Sequence, residues 1–378
     1  MPLQPKMRSS GPELDDPPPI DWLIVGGGPH GFHLAVRLLA AGVDPNTARI
    51  LDPHPGPLER WRSYTGNTGM FHLRSPQVHN LGTEPLALES LANSHGFRAI
   101  RRDAREPEFI PPYERPSLAL FEHHARRLVE EWGLARLWIR GRAVSLDRGR
   151  AGYRVALATG NRLQARNVVL ALGSGDHLHR PDWARGFDPG DPSAPLHHVF
   201  DPGFRRDALD PSEDVVVVGA GNSAAQLALA LARANPDRRI TLLSRHSLRQ
   251  ADFESDPGWL GPLRLTEFDA ESCPVRRRSM IDEARQRGTL ATDVMQALTG
   301  ALRAGSITHT LAHVESARRE SPGNRIELTV RPLELDEETY HRTGEIVARP
   351  SDAPVPLVAN RVVLGTGFEL GRPGGELV

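Results

Sequence analysis

The sequence predicts an α/β fold built from two similar strand–turn–helix units, one placed inside the other. Two glycine-rich turns carry the prediction. Gly26-Gly27-Gly28-Pro29-His30-Gly31 follows the apolar run Trp22–Val25, and Gly219-Ala220-Gly221-Asn222-Ser223-Ala224 follows Val215–Val218. Both turns are followed by a second apolar run with a charged end. Gly28 lies 24 residues before Asp52, and Gly221 lies 24 residues before Arg245. Late in each half comes an apolar strand entering a glycine turn, Asn167–Gly175 and Arg361–Phe368; Val168 and Val362 are 194 apart, and Gly26 and Gly219 are 193 apart. A shared spacing of this kind describes a repeated architecture.

Each glycine turn fits the Rossmann-like connection that seats a dinucleotide pyrophosphate on a helix N-terminus. Gly26, Gly28 and Gly31 form the first such turn, and Gly219, Gly221, Asn222 and Ser223 the second. The end of the second strand faces the adenosine ribose. A carboxylate there accepts hydrogen bonds from the ribose hydroxyls, whereas an arginine suits a 2′-phosphate. Asp52 therefore points to FAD, with NAD fitting less well, and Arg245 to NADPH. A strand-ending aspartate and a solvent-facing arginine are the plain alternatives, and the matching offset favours the paired reading. Gly173 and Gly367 sit where backbone can pass close to a cofactor or a neighbouring segment.

The elements follow in order. Residues 1–19, with prolines at 2, 5, 12, 17, 18 and 19, read as a disordered lead-in. Residues 20–180 form the first, FAD-binding part, with a helix from Phe32 to Ala41. The stretch 53–112 lacks periodicity and is too long for an idle loop. Ser117 is a plausible N-cap for the helix through Val129, and short strands follow near 137–139, 142–146 and 154–158. A Pro/Gly/Asp-rich linker covers roughly 176–212. Residues 181–330 form the NADPH-binding domain with its linkers, including a helix near 276–302. Residues 331–378 return to the FAD domain, so the NADPH domain is inserted into the FAD domain.

Composition narrows the chemistry. A net charge of −1 and a pI near 7.0 carry no electrostatic footprint for nucleic acid or an anionic membrane. No run has transmembrane length and the N-terminus lacks a signal-peptide core, so a cytoplasmic location is the default. Cys273 is the single cysteine, which excludes a C-x-x-C disulfide-reductase centre within this chain. His123-His124 and His197-His198 lack zinc-ligand spacing and read as surface or packing residues. Lys6 is the only lysine, so neither Schiff-base chemistry nor a P-loop is present.

On these residues the chain resembles the class B flavin-dependent monooxygenases, most of all their N-hydroxylating lysine/ornithine branch. Leu364-Gly365-Thr366-Gly367-Phe368 is similar to that branch's A-T-G-[FY] signature, and order and spacing match over most of the chain. The resemblance implies FAD and NADPH as cofactors. NADPH would reduce the flavin, O₂ would react with it, and one oxygen atom would pass to a small nucleophilic substrate such as an amine. That amine must be neutral to attack, which implies a nearby base or a preference for higher pH. A flavoprotein oxidoreductase without oxygen transfer and a non-catalytic nucleotide-binding relative are the alternatives; a homo-oligomer is left open.

The resemblance also implies site residues. Glu59–Met70 is similar to the segment passing the isoalloxazine, which places Trp61 near the ring. In Phe71–Thr83, Arg74 and His79 fall near the family's Gln and Lys, a departure that weakens the case for ornithine or lysine; Gln77 is placed near the flavin. Asp252 or Glu254, in the segment Arg249–Pro262, could meet a substrate amine or the nicotinamide ribose, or be solvated loop acids. The Baeyer–Villiger pattern F-x-G-x-x-x-H is not matched, because Phe187, Gly190 and His197 have the wrong spacing. The chain ends 11 residues after Gly367, so the closing C-terminal segment of the family is expected to be missing.

Overall fold

The computed structural model describes residues 20–101, 106–150, 152–175, 177–286, 288–320, 324–335, 348–351, 353–369, 371, 373–374 and 377. The lead-in expected at 1–19 lies outside them. The first unit runs β1 (Ile20–Val25), α1 (Pro29–Ala40), β2 (Ala48–Asp52), α2 (Glu59–Thr68), α3 (Ala87–Ala92), α4 (His95–Ile100), β3 (Phe109–Ile110), β4 (Arg115–Pro116), α5 (Leu118–Glu131), β5 (Trp138–Arg140), β6 (Ala143–Gly149), β7 (Gly152–Leu157) and β8 (Arg162–Leu170). Its six-stranded sheet has the order β5-β2-β1-β8-β7-β6. Strands β5, β2, β1 and β8 are parallel, and β6–β8 form an antiparallel meander.

The second unit continues with β9 (Leu196–His198), β10 (Val215–Val218), α6 (Asn222–Ala234), β11 (Ile240–Ser244), β12 (Arg249–Gln250), α7 (Pro262–Ala270), α8 (Pro274–Ala284), β13 (Thr289–Leu290), α9 (Thr292–Arg303), β14 (Thr308–Arg319), β15 (Ile326–Leu335), β16 (Ala348–Pro350), β17 (Val355–Ala359) and β18 (Arg361–Leu364). Its sheet order is β16-β15-β14-β11-β10-β18-β9, with β17 also on β15. The two units therefore share a parallel core in which β2-β1-β8 corresponds to β11-β10-β18. Registers agree as well: Val25 lies opposite Leu170, and Val218 opposite Leu364.

Helix periodicity explains the layers. Phe32, Ala35 and Val36 of α1 and Leu120, Phe121 and Leu128 of α5 pack with Ile24 and Ile50 on one face of the first sheet. In the second unit, Leu227 and Leu231 of α6 and Val294 and Leu298 of α9 cover Val215 and Val217. Ser117 caps α5 as expected, accepting the Leu120 N–H at 3.1 Å.

Three expectations are corrected. Residues 331–364 do not rejoin the first sheet, because β18 supplies the fourth parallel strand that β10 needs. The chain returns only after this strand, where Leu377 packs on the cluster around Leu23 and Val25. The helix near 276–302 is two helices, α8 and α9, parted by β13 and by Gly288 at φ +67°. Finally, the linker holds β9, and its His197 and His198 are buried strand residues.

Two buried histidines make folding pH-dependent. Burial, helped by Arg127 and His123, pushes His124 from 6.5 down to about 4. Burial, helped by Arg180, pushes His198 from 6.5 to about 3. The unfolded chain therefore binds more protons below pH 6.5, so stability is full above that pH and falls toward pH 4. Each histidine contributes a slope of up to about 1.4 kcal/mol per pH unit. His124→Leu should flatten part of this fall when urea unfolding is followed between pH 7 and pH 4.5.

Candidate functional site

Both glycine turns sit at the carboxyl ends of parallel strands, where open α/β sheets bind ligands. Gly26 (φ +112°) packs so closely that a Cβ would lie 2.3 Å from the Ala171 carbonyl oxygen. Gly219 (φ +144°) stands in the same relation to the Gly365 carbonyl, at 2.5 Å. Gly31 is needed for close helix–strand packing, since a Cβ there would fall 1.8 Å from Gly26 O. Gly28 differs: it is the N-cap of α1 with ordinary backbone (φ −73°), and a Cβ would meet nothing within 4 Å. No neighbour demands glycine at Gly28. The open space faces the unpaired N–H groups of the first helical turn, a cradle that suits a pyrophosphate.

Asp52 lies beside this cradle. Its Oδ2 accepts the Gly27 N–H at 2.7 Å, and its Oδ1 accepts the His54 N–H at 2.8 Å. His54 Nδ1, 2.7 Å from the same oxygen, must be the protonated nitrogen, because a carboxylate only accepts. Behind the turn stands Trp138, whose ring would collide with a Cβ on Gly27 and whose Nε1–H donates to His54 O at 3.0 Å. Neither His54 nor Trp138 was legible as a site residue, since each is a single residue at a strand end.

In the second unit, Gly221 is the N-cap of α6, 3.5 Å by a constructed Cβ from the Cα of Gly288. Asn222 turns its Oδ1 to the Ala291 N–H at 2.9 Å, tying the turn to α9. Ser223 follows in the first turn, half-buried, and Arg245 projects into solvent with no hydrogen bond or ion pair among the described residues. A 2′-phosphate would meet an unengaged guanidinium there.

The turns that follow β8 and β18 are linked through Tyr64, which bonds Gly175 and packs near Phe368. Gly173 and Gly367 both adopt left-handed backbone, φ +64° and +79°, and neither would meet an atom within 4 Å through a Cβ. Between them the rings of Tyr64, Phe200 and Phe368 stack: Tyr64 to Phe200 at 4.3 Å, Phe200 to Phe368 at 5.3 Å. Tyr64 donates its hydroxyl to Gly175 O at 3.0 Å, and His179 N–H reaches Gly367 O at 3.0 Å. Buried Asn67 donates to Val199 O and Phe204 O at 3.1 and 3.0 Å, anchoring α2 to the linker. The stack and Asn67 join elements far apart in sequence, so periodicity gave no sign of them.

The residues expected near the flavin ring, Trp61 and Gln77, and those expected at the substrate, Arg74, His79 and Asp252, have these surroundings. Trp61 packs on Phe121, ring centroids 5.1 Å apart, within the first core. Gln77 lines a pocket of about 620 Å³ beside α3 and α4, and its Oε1 is buried without a hydrogen-bond partner. His79 is exposed. Arg74 donates to Asp252 O at 2.9 Å and to Ala251 O and Thr289 Oγ1, both at 2.7 Å. Burial lowers its pKa, and Glu254, 3.7 Å away, opposes that. Asp252 Oδ1 accepts the Thr292 N–H at 3.0 Å and so caps α9. Arg74 and Asp252 thus meet each other's segments at the boundary between the units. Among the described residues no group of His, Cys, Asp or Glu could hold a metal ion, and no helix is long and apolar enough to cross a membrane.

The open space at Gly28 separates a ligand role from a structural one. Gly28→Val should leave stability within about 0.5 kcal/mol of the parent, while FAD binding at this turn weakens about tenfold or more, equivalent to 1.4 kcal/mol. Urea unfolding and flavin fluorescence titration check the two halves.

Known proteins share this arrangement. Residues 23–175 match the family model for FAD-NAD(P)-binding, and residues 142–257 match that for L-lysine 6-monooxygenase/L-ornithine 5-monooxygenase. No curated protein matches the sequence. Among solved structures, the ornithine N-hydroxylase of Kutzneria sp. 744, described with reduced FAD, NADP+ and L-ornithine, superposes with a TM-score of 0.71 at 17% identity, covering 95% of this chain and 83% of that one. The ornithine hydroxylase of Pseudomonas aeruginosa gives 0.67 at 18%, covering 95% and 84%. The cadaverine monooxygenase of Erwinia amylovora, bound to FAD, gives 0.66 at 16%, covering 94% and 80%. The chain therefore carries matches to both family models and shares the fold of these ornithine hydroxylases and this cadaverine monooxygenase.

Proposed function

We propose that the protein is an FAD- and NADPH-dependent monooxygenase that converts a small primary amine to its hydroxylamine. The observation that carries this reading is the pair of glycine turns in matching register, with Asp52 hydrogen-bonded to the first turn and Arg245 exposed just past the second unit's β11. In the balanced reaction the amine, O₂, NADPH and one proton give the hydroxylamine, water and NADP⁺. FAD, when bound, accepts a hydride from NADPH and then lets O₂ react.

The chain's own residues bind and orient. Gly26, Gly28, Gly31 and Asp52 would hold the FAD phosphates and ribose; Gly219, Gly221, Asn222, Ser223 and Arg245 would hold NADPH. At Gly173 and Gly367, where a Cβ would meet nothing within 4 Å, the left-handed backbone would pass close to a bound flavin, with the Tyr64–Phe200–Phe368 stack beside Gly367. A terminal amine is the feature shared by the ornithine, lysine and cadaverine named for the structural neighbours. With Arg74 turned to the unit boundary and His79 exposed, the acceptors that would meet an ammonium in the pocket by α3 and α4 are Gln77 and the carboxylates of Glu89, Glu108 and Glu114.

Arg245→Ala should raise the KM for NADPH about 10- to 100-fold, the worth of a charge-assisted phosphate contact of ~1.5–3 kcal/mol, and leave NADH almost unaffected. Steady-state oxidation of both nucleotides measures it. Oxygen transfer itself is tested by mixing the flavin-loaded protein with NADPH, O₂ and a panel of diamines. Hydroxylamine formed in proportion to NADPH supports the reading; hydrogen peroxide alone with every amine overturns it.

A further inference from the structure

Among the described residues Arg115 is the largest fully buried side chain, 2% exposed, and its hydrogen bonds go to Leu73 and Asp293 and not to either glycine turn. It stands in the β3–β4 ribbon of the first unit. One guanidinium nitrogen donates to Leu73 O at 3.2 Å, within its own unit, and the other pairs with Asp293 Oδ1, in the first turn of α9. The same helix start is held twice more. Asp252 accepts from Thr292 N–H, and Ala291 N–H donates to Asn222 Oδ1 at the second glycine turn. Arg74, one residue after Leu73, grips Ala251, Asp252 and Thr289 across the boundary. Tyr113 packs on Phe253 nearby, ring centroids 4.7 Å apart.

These contacts form one continuous polar path. It runs from the first unit's Leu73 through Arg115 and Asp293 to the start of α9, and through Asn222 to the N-terminus of α6. A buried ion pair adds little net stability, since an apolar pair of similar volume fills the same space as well or better. What such a pair supplies is direction: the planar guanidinium donates through one nitrogen to Leu73 O and through the other to Asp293 Oδ1, which fixes the two acceptors relative to each other. We propose that Arg115 is a positioning residue that locks the two units at one separation and angle, so that the turn at Gly221 is held at a fixed distance from the turn at Gly28. The identity of the bound nucleotides rests on the function proposed above; the lock does not.

The test replaces the charged pair without leaving a charge buried. Arg115→Met combined with Asp293→Leu removes the fork, and Arg115→Lys keeps the charge with poorer geometry. Small-angle scattering of the flavin-free protein reads the lock directly: one compact arrangement in the parent, a broadened or enlarged one in the double variant, and an intermediate profile in Arg115→Lys. With FAD bound, the limiting rate of anaerobic flavin reduction by NADPH should fall by roughly tenfold to 100-fold in the double variant, the effect of about an ångström of misplacement. Dissociation constants for FAD and NADPH should stay within about twofold, a split that simple destabilisation does not produce. Unchanged scattering together with an unchanged limiting rate overturns the proposal. A chain that takes up no flavin overturns the proposed function while scattering still decides the lock. Should the double variant fail to fold, Arg74→Gln with Thr289→Val cuts the parallel tie and is read in the same two ways.

Discussion

The backbone contact between the first and fourth strands of each unit is the constraint on which the rest of the structure depends. A carbonyl oxygen just past the fourth strand occupies the volume that a Cβ on the first glycine would need, at Gly26 against Ala171 and at Gly219 against Gly365. That approach forces glycine and a positive φ at the strand end, which turns the chain sharply into a helix. It also brings Gly173 and Gly367 beside the two cradles. Both open turns in each unit therefore follow from one steric condition, repeated.

The two units differ where their chemistry differs. Asp52 is held by Gly27 and His54, whereas Arg245 is exposed and makes no hydrogen bond or ion pair among the described residues. Between the units the contacts are polar and directional in one place and aromatic in another. The arginines at 74 and 115 meet the β12–β13 loop and α9, while Tyr64, Phe200 and Phe368 stack near the fourth-strand turns.

Much of this was legible in the chain. Runs such as Val215–Val218 are buried on both faces, as a central parallel strand must be, and they read plainly as strands. The residues expected near the substrate were harder. Arg74 and Asp252 have the charges of ligand-binding groups, yet the structure turns Arg74 to backbone carbonyls and Asp252 to a helix N-terminus. The stretch 53–112, which shows little periodicity, contains α2, α3 and α4, short helices whose burial comes from contacts with α5 and α6.

By itself the sequence determined the two strand–turn–helix units, their order, and the opposite charges that close their second strands, Asp52 in one and Arg245 in the other. These depend on local spacing, which a linear chain records directly. Only the tertiary structure decided that β18 completes the second sheet, that Tyr64 meets Phe368, and that Arg115 is buried against Asp293. Those pairings lie more than 100 residues apart, and hydrogen-bond geometry and exclusion of water select them only once both units have folded against each other.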